Sequence, residues 1–483
     1  MKKVLLINPS EYYETYSSLS LIYLGTYLRD KIDCTVKIES IWNNNLNNLN
    51  SYDIIAITSY TPEIPYVKDF SERVKELCDV PIIVGGAHAN GDPVSCLDES
   101  ASFDIINEGF GRELAVIAEG KEELDNIPNI TYKKNGKIKR NKTEKTKPIV
   151  LDIVPDRSID TYRNNDRTYL LSSTGCSNFC DYCACVKDRY YLREKDSLIE
   201  EIHGLDPRCL VFCDDTHLTN SSIRMLDSVY STCGIQEIKK ECMLDPFFLS
   251  TNYQEIFDFT RRNNYREFFI GVESSTYSGR NKIGRKYNGK IRGEKCHKRE
   301  VDSIKKFIKE FDGSLTLSYI TPHPLIEKKE LISDFIEMFK FLKIFRSNDS
   351  THNFINWDTL IPFPGTPVRE CYYDYIQPDK RFDWESYKPS FPFLWQYRND
   401  DVNLWLHKFI RSYRNAELFM KDLTEYEKTQ FVGGHNYTVL LGLSILLNKP
   451  FSELARKIPS FDYEYCEKLH NFVVQSHTLC VRK

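Results

Sequence analysis

Over its first 120 residues the chain alternates short β-branched runs with amphipathic stretches. Runs at 4–7, 35–41, 53–60, 81–86 and 103–109 read as strands, while 19–31 and 63–78 place apolar residues at helical spacing. Near-continuous apolar strands separated by helices predict a parallel sheet covered on both faces, hence a doubly wound, Rossmann-like α/β domain over 1–125. Ligands of such sheets lie at the carboxyl ends of the strands. The pattern then changes: Asn135-Gly136 between two alternating runs signals a hairpin, and the charged, proline-bearing stretch that follows makes 126–167 a hairpin and linker. Strand-helix alternation resumes for about 200 residues. Candidate strands at 169–173, 210–214, 238–244, 267–273, 314–320 and 355–361 make six βα units, a partial barrel over 168–375 whose upper loops face one site. Helical patterns such as 402–420 then dominate, and 376–483 reads as an α-rich region.

Composition narrows the function classes. The 483 residues carry 65 basic and 69 acidic side chains, a net charge of -4, which argues against general binding of nucleic acid or anionic membrane. The apolar run near the start is only four residues long, and 439–447 is too short to span a bilayer, so the chain reads as cytoplasmic. Fifteen cysteines without a regular framework fit a reducing compartment.

The chemistry concentrates in Thr174-Gly-Cys-Ser-Asn-Phe-Cys-Asp-Tyr-Cys183, a C-x3-C-x2-C run after the first barrel strand. A four-iron, four-sulfur cluster normally takes four thiolates, so a loop offering Cys176, Cys180 and Cys183 leaves one iron open for another ligand. A zinc loop is the alternative, but zinc favours C-x2-C pairs matched by a second pair or by histidines. Among the other cysteines, Cys209 and Cys213 share a strand face but stand roughly 13 Å apart at about 3.3 Å per residue, too far for one metal. Buried, inert thiols account for these and for the isolated Cys296, Cys371, Cys466 and Cys480; Cys185 is too close to Cys183 to join the same cluster.

The cysteine run, with Tyr182 before its last member, resembles the signature of radical S-adenosylmethionine (SAM) enzymes, and further segments extend the resemblance. Phe268-Phe-Ile-Gly-Val-Glu-Ser274 resembles the family's fourth strand, which implies contacts from Glu273 and Ser274 to SAM. Phe212-Cys-Asp-Asp215 resembles its second, where a carboxylate meets the SAM ammonium; Asp214 is the candidate, and helix capping before 219–222 is the alternative for one of the pair. Ile361-Pro-Phe-Pro-Gly-Thr-Pro367 is similar to the close of the sixth strand. The fifth departs from the pattern, carrying Ile320-Thr-Pro-His-Pro-Leu-Ile-Glu327 without the family's glycines, which makes His323 a candidate for the substrate side.

Ile7-Asn-Pro9, Ile57-Thr-Ser-Tyr-Thr-Pro62, Val84-Gly-Gly-Ala-His88 and Asn107-Glu-Gly-Phe-Gly111 follow the order of cobalamin-binding domains fused to radical SAM barrels, so the resemblance covers 1–375. It implies corrin contacts from Ser59, Thr61, Gly85, Gly86 and Glu108. No Asp-x-His-x-x-Gly follows the first strand, so that motif supplies no axial histidine. The implied cofactors are a 4Fe–4S cluster, SAM and cobalamin. The implied reaction is cobalamin-dependent methylation of an unactivated carbon in a small-molecule or peptide substrate, with a flavodoxin or ferredoxin as reductant. Alternatives are a radical rearrangement or cyclisation with or without cobalamin, a methylthiotransferase, and a non-catalytic cobalamin sensor. The methylthiotransferase should show three N-terminal cluster cysteines and a basic β-rich C-terminus, and neither is evident here.

Overall fold

A computed structural model describes residues 1–10, 18–42, 46–159, 166–184, 190–347, 353–388, 394–421, 436–449, 453–454 and 456–458. Cys185, Cys466 and Cys480 lie outside the described residues, as does much of 376–483. Two sheets organise the rest. The first runs β2-β1-β3-β4-β5-β6-β7, built from β1 (Lys2–Asn8), β2 (Cys34–Ser40), β3 (Ile54–Thr58), β4 (Ile82–Gly85), β5 (Ile105–Asn107), β6 (Ile130–Lys134) and β7 (Lys137–Arg140). β1 to β5 are parallel, and the order 2-1-3-4-5 puts a topological switch point between β1 and β3. Val4, Leu5, Leu6 and Ile7 are wholly buried, as expected of a strand with helices on both faces. Helices at Leu19–Lys31 and Ile64–Leu77 match the apolar spacing of the sequence. The Asn135-Gly136 hairpin is present, with both residues at positive φ, but it does not belong to a linker: β6 pairs antiparallel with β5 and extends the first sheet.

The second sheet has six strands in the order β15-β14-β13-β12-β11-β8, all parallel. They are β8 (Thr168–Leu170), β11 (Cys209–Phe212), β12 (Lys239–Leu244), β13 (Tyr265–Glu273), β14 (Ser314–Ile320) and β15 (Phe354–Asp358). A two-stranded ribbon of β9 (Ser173–Thr174) and β10 (Tyr191–Leu192) flanks the cysteine loop. Sequential parallel order with helical crossovers gives an open arc of barrel. Phe268 and Ile270 point outward into the helix layer, while Met243 and Phe269 are exposed toward the hollow of the arc. At its lower end Lys240 is fully buried, its ammonium donating to the carbonyls of Ile235, Ile238 and Asn263 at 2.7–2.9 Å.

One apolar core is shared by both sheets and the C-terminal helices, taking in Leu5 and Ile57, then Leu210 and Ile270, then Trp405 and Val439. A polar knot ties the halves as well: Tyr23 on the Leu19–Lys31 helix donates to Glu201 at 3.1 Å, and the buried Arg193 guanidinium bonds both Tyr23 and Glu201.

Candidate functional site

The cysteine loop leaves β9 through Gly175 at φ +77 and passes Phe179 at φ +55, a left-handed conformation unusual for a bulky residue. It is held from several sides. Asp215 accepts from the Gly175 N–H at 3.0 Å, the Cys183 N–H turns back to the Cys180 carbonyl at 3.2 Å, and the Asp181 N–H donates to Gly284 at 2.9 Å. The sulfurs collect donors: Thr216 Oγ1 lies 3.2 Å and the Asn178 N–H 3.4 Å from Cys176, while the Lys286 N–H lies 3.4 Å from Cys180. Burial pushes both thiols up and these donors pull them down. Three cysteines on one short loop, with N–H and O–H groups aimed at sulfur, suit thiolate ligands to a cluster. Among the described residues no three His, Cys, Asp or Glu side chains gather as a single metal ion would require.

Behind the loop stands a buried ionic cluster. Arg285 reaches Asp245 Oδ2 at 2.9 Å, the Tyr182 hydroxyl at 2.9 Å and Glu273 Oε1 at 3.3 Å, and approaches Cys180 Sγ at 3.9 Å. The Tyr182 hydroxyl donates to the same Glu273 oxygen at 2.8 Å. Burial raises the phenol, with Glu273 reinforcing and Arg285 opposing the shift. Asp245 also accepts from Asn178 of the cysteine loop at 2.9 Å and caps the Pro246–Thr251 helix. Glu273 is the last residue of β13, at φ +68 where the register with β14 shifts, a local strain of the kind that collects at functional sites.

The other expected contacts divide. Asp214 is wholly enclosed: its oxygens accept from the N–H groups of Ser172 and Ser173 and bond the Ser172 hydroxyl and His217, which continues through Tyr265 to Tyr230. It braces the barrel, and the exposed carboxylate at this strand end is Asp215. Neither aspartate caps the next helix, because Thr219 does. Ser274 is buried and donates to Asp334 at 2.9 Å, whose carboxyl burial pushes up to about 6. His323 is buried with neither ring nitrogen bonded, and burial holds it down at about 3. Cys213 and Cys371 are exposed, which corrects the reading that both are buried; Cys209 is buried against Glu241.

At the carboxyl ends of the first sheet, Ser59 Oγ donates to the Gly85 carbonyl at 2.8 Å, and Thr61 meets His88 Nδ1 at 3.3 Å. His88 turns away from the strand ends, with Glu99 3.7 Å from its Nε2 and the Trp384 ring edge-on at 4.9 Å. Gly86 at φ +98 is required by chain crossing, because a Cβ there would stand 2.6 Å from both Ser59 N and Ser59 O. A Cβ at Gly85 would make one ordinary contact, with the Asn107 carbonyl at 3.5 Å. Glu108 is ion-paired with Arg140 at 2.6 Å and accepts from Thr131 at 2.6 Å.

Of the expected corrin contacts, Glu108 alone lines a cavity of about 260 Å³ shared with the cysteine loop, walled by Ala87, Asn90, Glu108 and Phe110 on one side and by Cys183 and Pro364 on the other. Asn90 Oδ1 is buried there without a partner, an open polar position for a ligand. At its edge Gly91 abuts Pro364 so closely that a Cβ would overlap the Pro364 carbonyl. Tyr60 exposes 60% of its surface, and its backbone N–H donates to Glu63 at 3.1 Å. Arg285, Asp245, Asn178, Asn90 and Tyr60 are absent from the sequence expectations. The Asn288-Gly289 turn signal that folds Arg285 back over the loop was there to be read.

No protein-family model matches the chain. Bacteriochlorophyllide d C-12(1)-methyltransferase of Chlorobaculum tepidum is 22% identical over 420 residues, 82% of each chain. An uncharacterized protein of Methanocaldococcus jannaschii is 28% identical over 150 residues, 30% of this chain and 29% of that one. Among solved structures, the cobalamin-dependent SAM radical enzyme OxsB with aqua-cobalamin bound superposes with a TM-score of 0.69 at 13% identity, over 100% of this chain and 80% of that one. The chain has the fold of cobalamin-dependent radical SAM enzymes. The radical SAM methyltransferase TsrM of Kitasatospora setae, with tryptophan and a SAM analog bound, shares that radical SAM fold at a TM-score of 0.62 and 15% identity over 77% of each chain. In this radical SAM fold the cysteine loop and the ends of β4 and β5 open onto one space. No helix among the described residues is long and apolar enough to cross a membrane.

Proposed function

We propose that this chain is a cobalamin-dependent radical SAM enzyme that methylates an unactivated carbon of a small-molecule or peptide substrate. The observation that carries this reading is the shared cavity, which brings Cys183 of the cluster loop against the residues that follow β4 and β5. Cluster and SAM supply a 5'-deoxyadenosyl radical, and cobalamin supplies the methyl group. Cys176, Cys180 and Cys183 hold the cluster, and the donors from Thr216, Asn178 and Lys286 stabilise the charge on its sulfurs. Glu273, fixed between Tyr182 and Arg285, presents its carboxylate to the polar end of SAM. Gly85 leaves room for the corrin edge, and Asn90 and Glu108 meet its amides. Asn356 and Asp358, bonded at 2.7 Å on β15, add polar groups for the substrate.

Two experiments test the assignment. Ala87→Phe projects a ring from the wall of the cavity and is expected to lower cobalamin retention by about tenfold or more, roughly 1.4 kcal/mol, with iron content and SAM cleavage unchanged. Should wild-type protein refolded with cobalamin lose it entirely on washing, and cleave SAM equally well without it, the methyl-transfer reading is wrong and cobalamin-free rearrangement or cyclisation replaces it. In Glu273→Gln the volume stays and the charge goes; loss of a charge-assisted bond of about 1.5–3 kcal/mol should slow SAM cleavage about 10- to 100-fold with the cluster intact. Loss of iron together with activity would instead make Glu273 a support of the loop.

A further inference from the structure

The segment 285–299 carries seven lysines and arginines against a single glutamate, in a chain whose overall charge is -4. Its first part folds over the cysteine loop. Tyr287 and Lys290 bridge across Asn288 and Gly289, both at positive φ, which makes a tight hairpin tip, and the Gly289 N–H donates to Asn178 at 3.3 Å. Arg285 and Lys286 are occupied with Asp245, Glu273 and Asp181 beneath that tip. The remainder points to solvent: Lys290, Arg292, Lys295, Lys298 and Arg299 are all exposed. Among the described residues no ion pair neutralises Lys290, Arg292, Lys295 or Lys298. Within this basic ring two apolar side chains stand in water, Phe179 at 38% exposure and Ile291 at 47%, one on each of the two strands of chain that the Gly289–Asn178 bond joins. Phe179 directly precedes Cys180. The basic face continues into a depression of about 450 Å³ on the Glu294–Glu310 helix, lined by Tyr253, Lys295, Lys298, Arg299 and Lys306 with Asp302 as its one acid.

We infer that this face, centred on Phe179 and Ile291 and rimmed by Lys290, Arg292, Lys295 and Lys298, is where an acidic one-electron carrier protein docks to reduce the cluster. The inference rests on the radical SAM reading. A small apolar centre with a charged rim is the anatomy of a protein interface, and electron-transfer pairs sit at the small end of interface sizes. Unpaired positive charge on a negative chain steers an acidic partner to this face and away from the rest of the surface. The position serves the chemistry, because a carrier seated on Phe179 lies one residue from a cluster ligand. One electron leaves the reduced carrier and enters the oxidised cluster, and no atom is exchanged. An anionic polymer would also be drawn to the lysines. The net charge of -4 and the aliphatic Ile291 beside the lysines favour a protein partner over it.

The test uses reconstituted enzyme and an acidic FMN flavodoxin as probe, with binding measured calorimetrically at 50 and 300 mM salt. The double variant Lys290→Glu with Arg292→Glu is expected to weaken flavodoxin binding about tenfold or more, and raised salt should weaken wild-type binding in the same direction. Ile291→Asp should also weaken it, through the apolar centre. Lys68→Glu with Arg73→Glu, on the helix Ile64–Leu77, should leave affinity unchanged. SAM cleavage driven by dithionite should be the same in all variants, while flavodoxin-driven cleavage falls with affinity only in the first two. Equal flavodoxin affinity in wild type and the Lys290/Arg292 variant overturns the docking face. So does tighter binding of a single-stranded RNA that the same charge reversals abolish, which would assign the patch to nucleic acid. Failure of dithionite to support any SAM cleavage in wild type would overturn the enzymatic reading, a result distinct from either.

Discussion

Alanine at Cys176, Cys180 and Cys183 together is expected to yield protein that binds no iron and cleaves no SAM. Wild-type protein reconstituted without oxygen should instead hold about four irons and the brown absorbance of a cubane cluster. Each single substitution should abolish cleavage, because only three protein ligands are on offer and the open iron is already assigned to SAM. Cys209→Ala and Cys213→Ala should leave iron content unchanged: Cys209 is buried against Glu241, and Cys213 follows the end of β11, outside the cysteine loop. Iron analysis and SAM-cleavage assays on the six variants decide the point, and cleavage retained in the triple variant would remove the basis of the functional reading.

The second large effect is expected at Arg285. Its guanidinium is enclosed between Asp245 and Glu273 and bonds the Tyr182 hydroxyl. Arg285→Met would leave two carboxylates facing one another away from water, and breaking a buried pair by removing one partner costs about 3–5 kcal/mol. Through Asp245 the damage reaches Asn178, so the cysteine loop should loosen and iron loading should fall along with the unfolding midpoint in urea. Arg285→Lys should recover only part of the loss, since a single ammonium cannot span acceptors that a planar fork reaches at once. A methionine variant that keeps both midpoint and iron would show the cluster of charges to be dispensable.

Both parallel sheets were legible because strands covered on two faces must be apolar without interruption, and the helices between them must show one apolar stripe. The Leu19–Lys31 helix and the strand Ser314–Ile320 have the expected ends. The cysteine loop was legible because ligand spacing is written along the chain. Side-chain direction was not. The sequence offered Asp214 as the carboxylate of this strand end, but only the fold reveals that Asp214 is buried and Asp215 exposed. Ser274 follows the strained Glu273 and is turned toward Asp334, a partner 60 residues away. Gly86 was read as space for a ligand, and it is space for the chain itself. The hairpin at 135–136 was visible as a hairpin, yet nothing local tells that β6 finds β5.

The core that passes without a break from Ile57 through Ile270 to Trp405 bears on how this protein comes apart. Lobes with separate interiors melt one after another and tolerate being cut at the seam. Here a cut near residue 168 would expose the face of the first sheet that joins this core, together with the barrel, while the opposite face keeps an interior of its own around Val4, Leu6 and Leu114. The shared core thus joins the two sheets across the stretch 126–167 read from the sequence as hairpin and linker. Cooperativity of this kind makes occupancy communal, for whatever binds at the ends of β4 and β5 adds its binding free energy to the folded state as a whole, the C-terminal helices included.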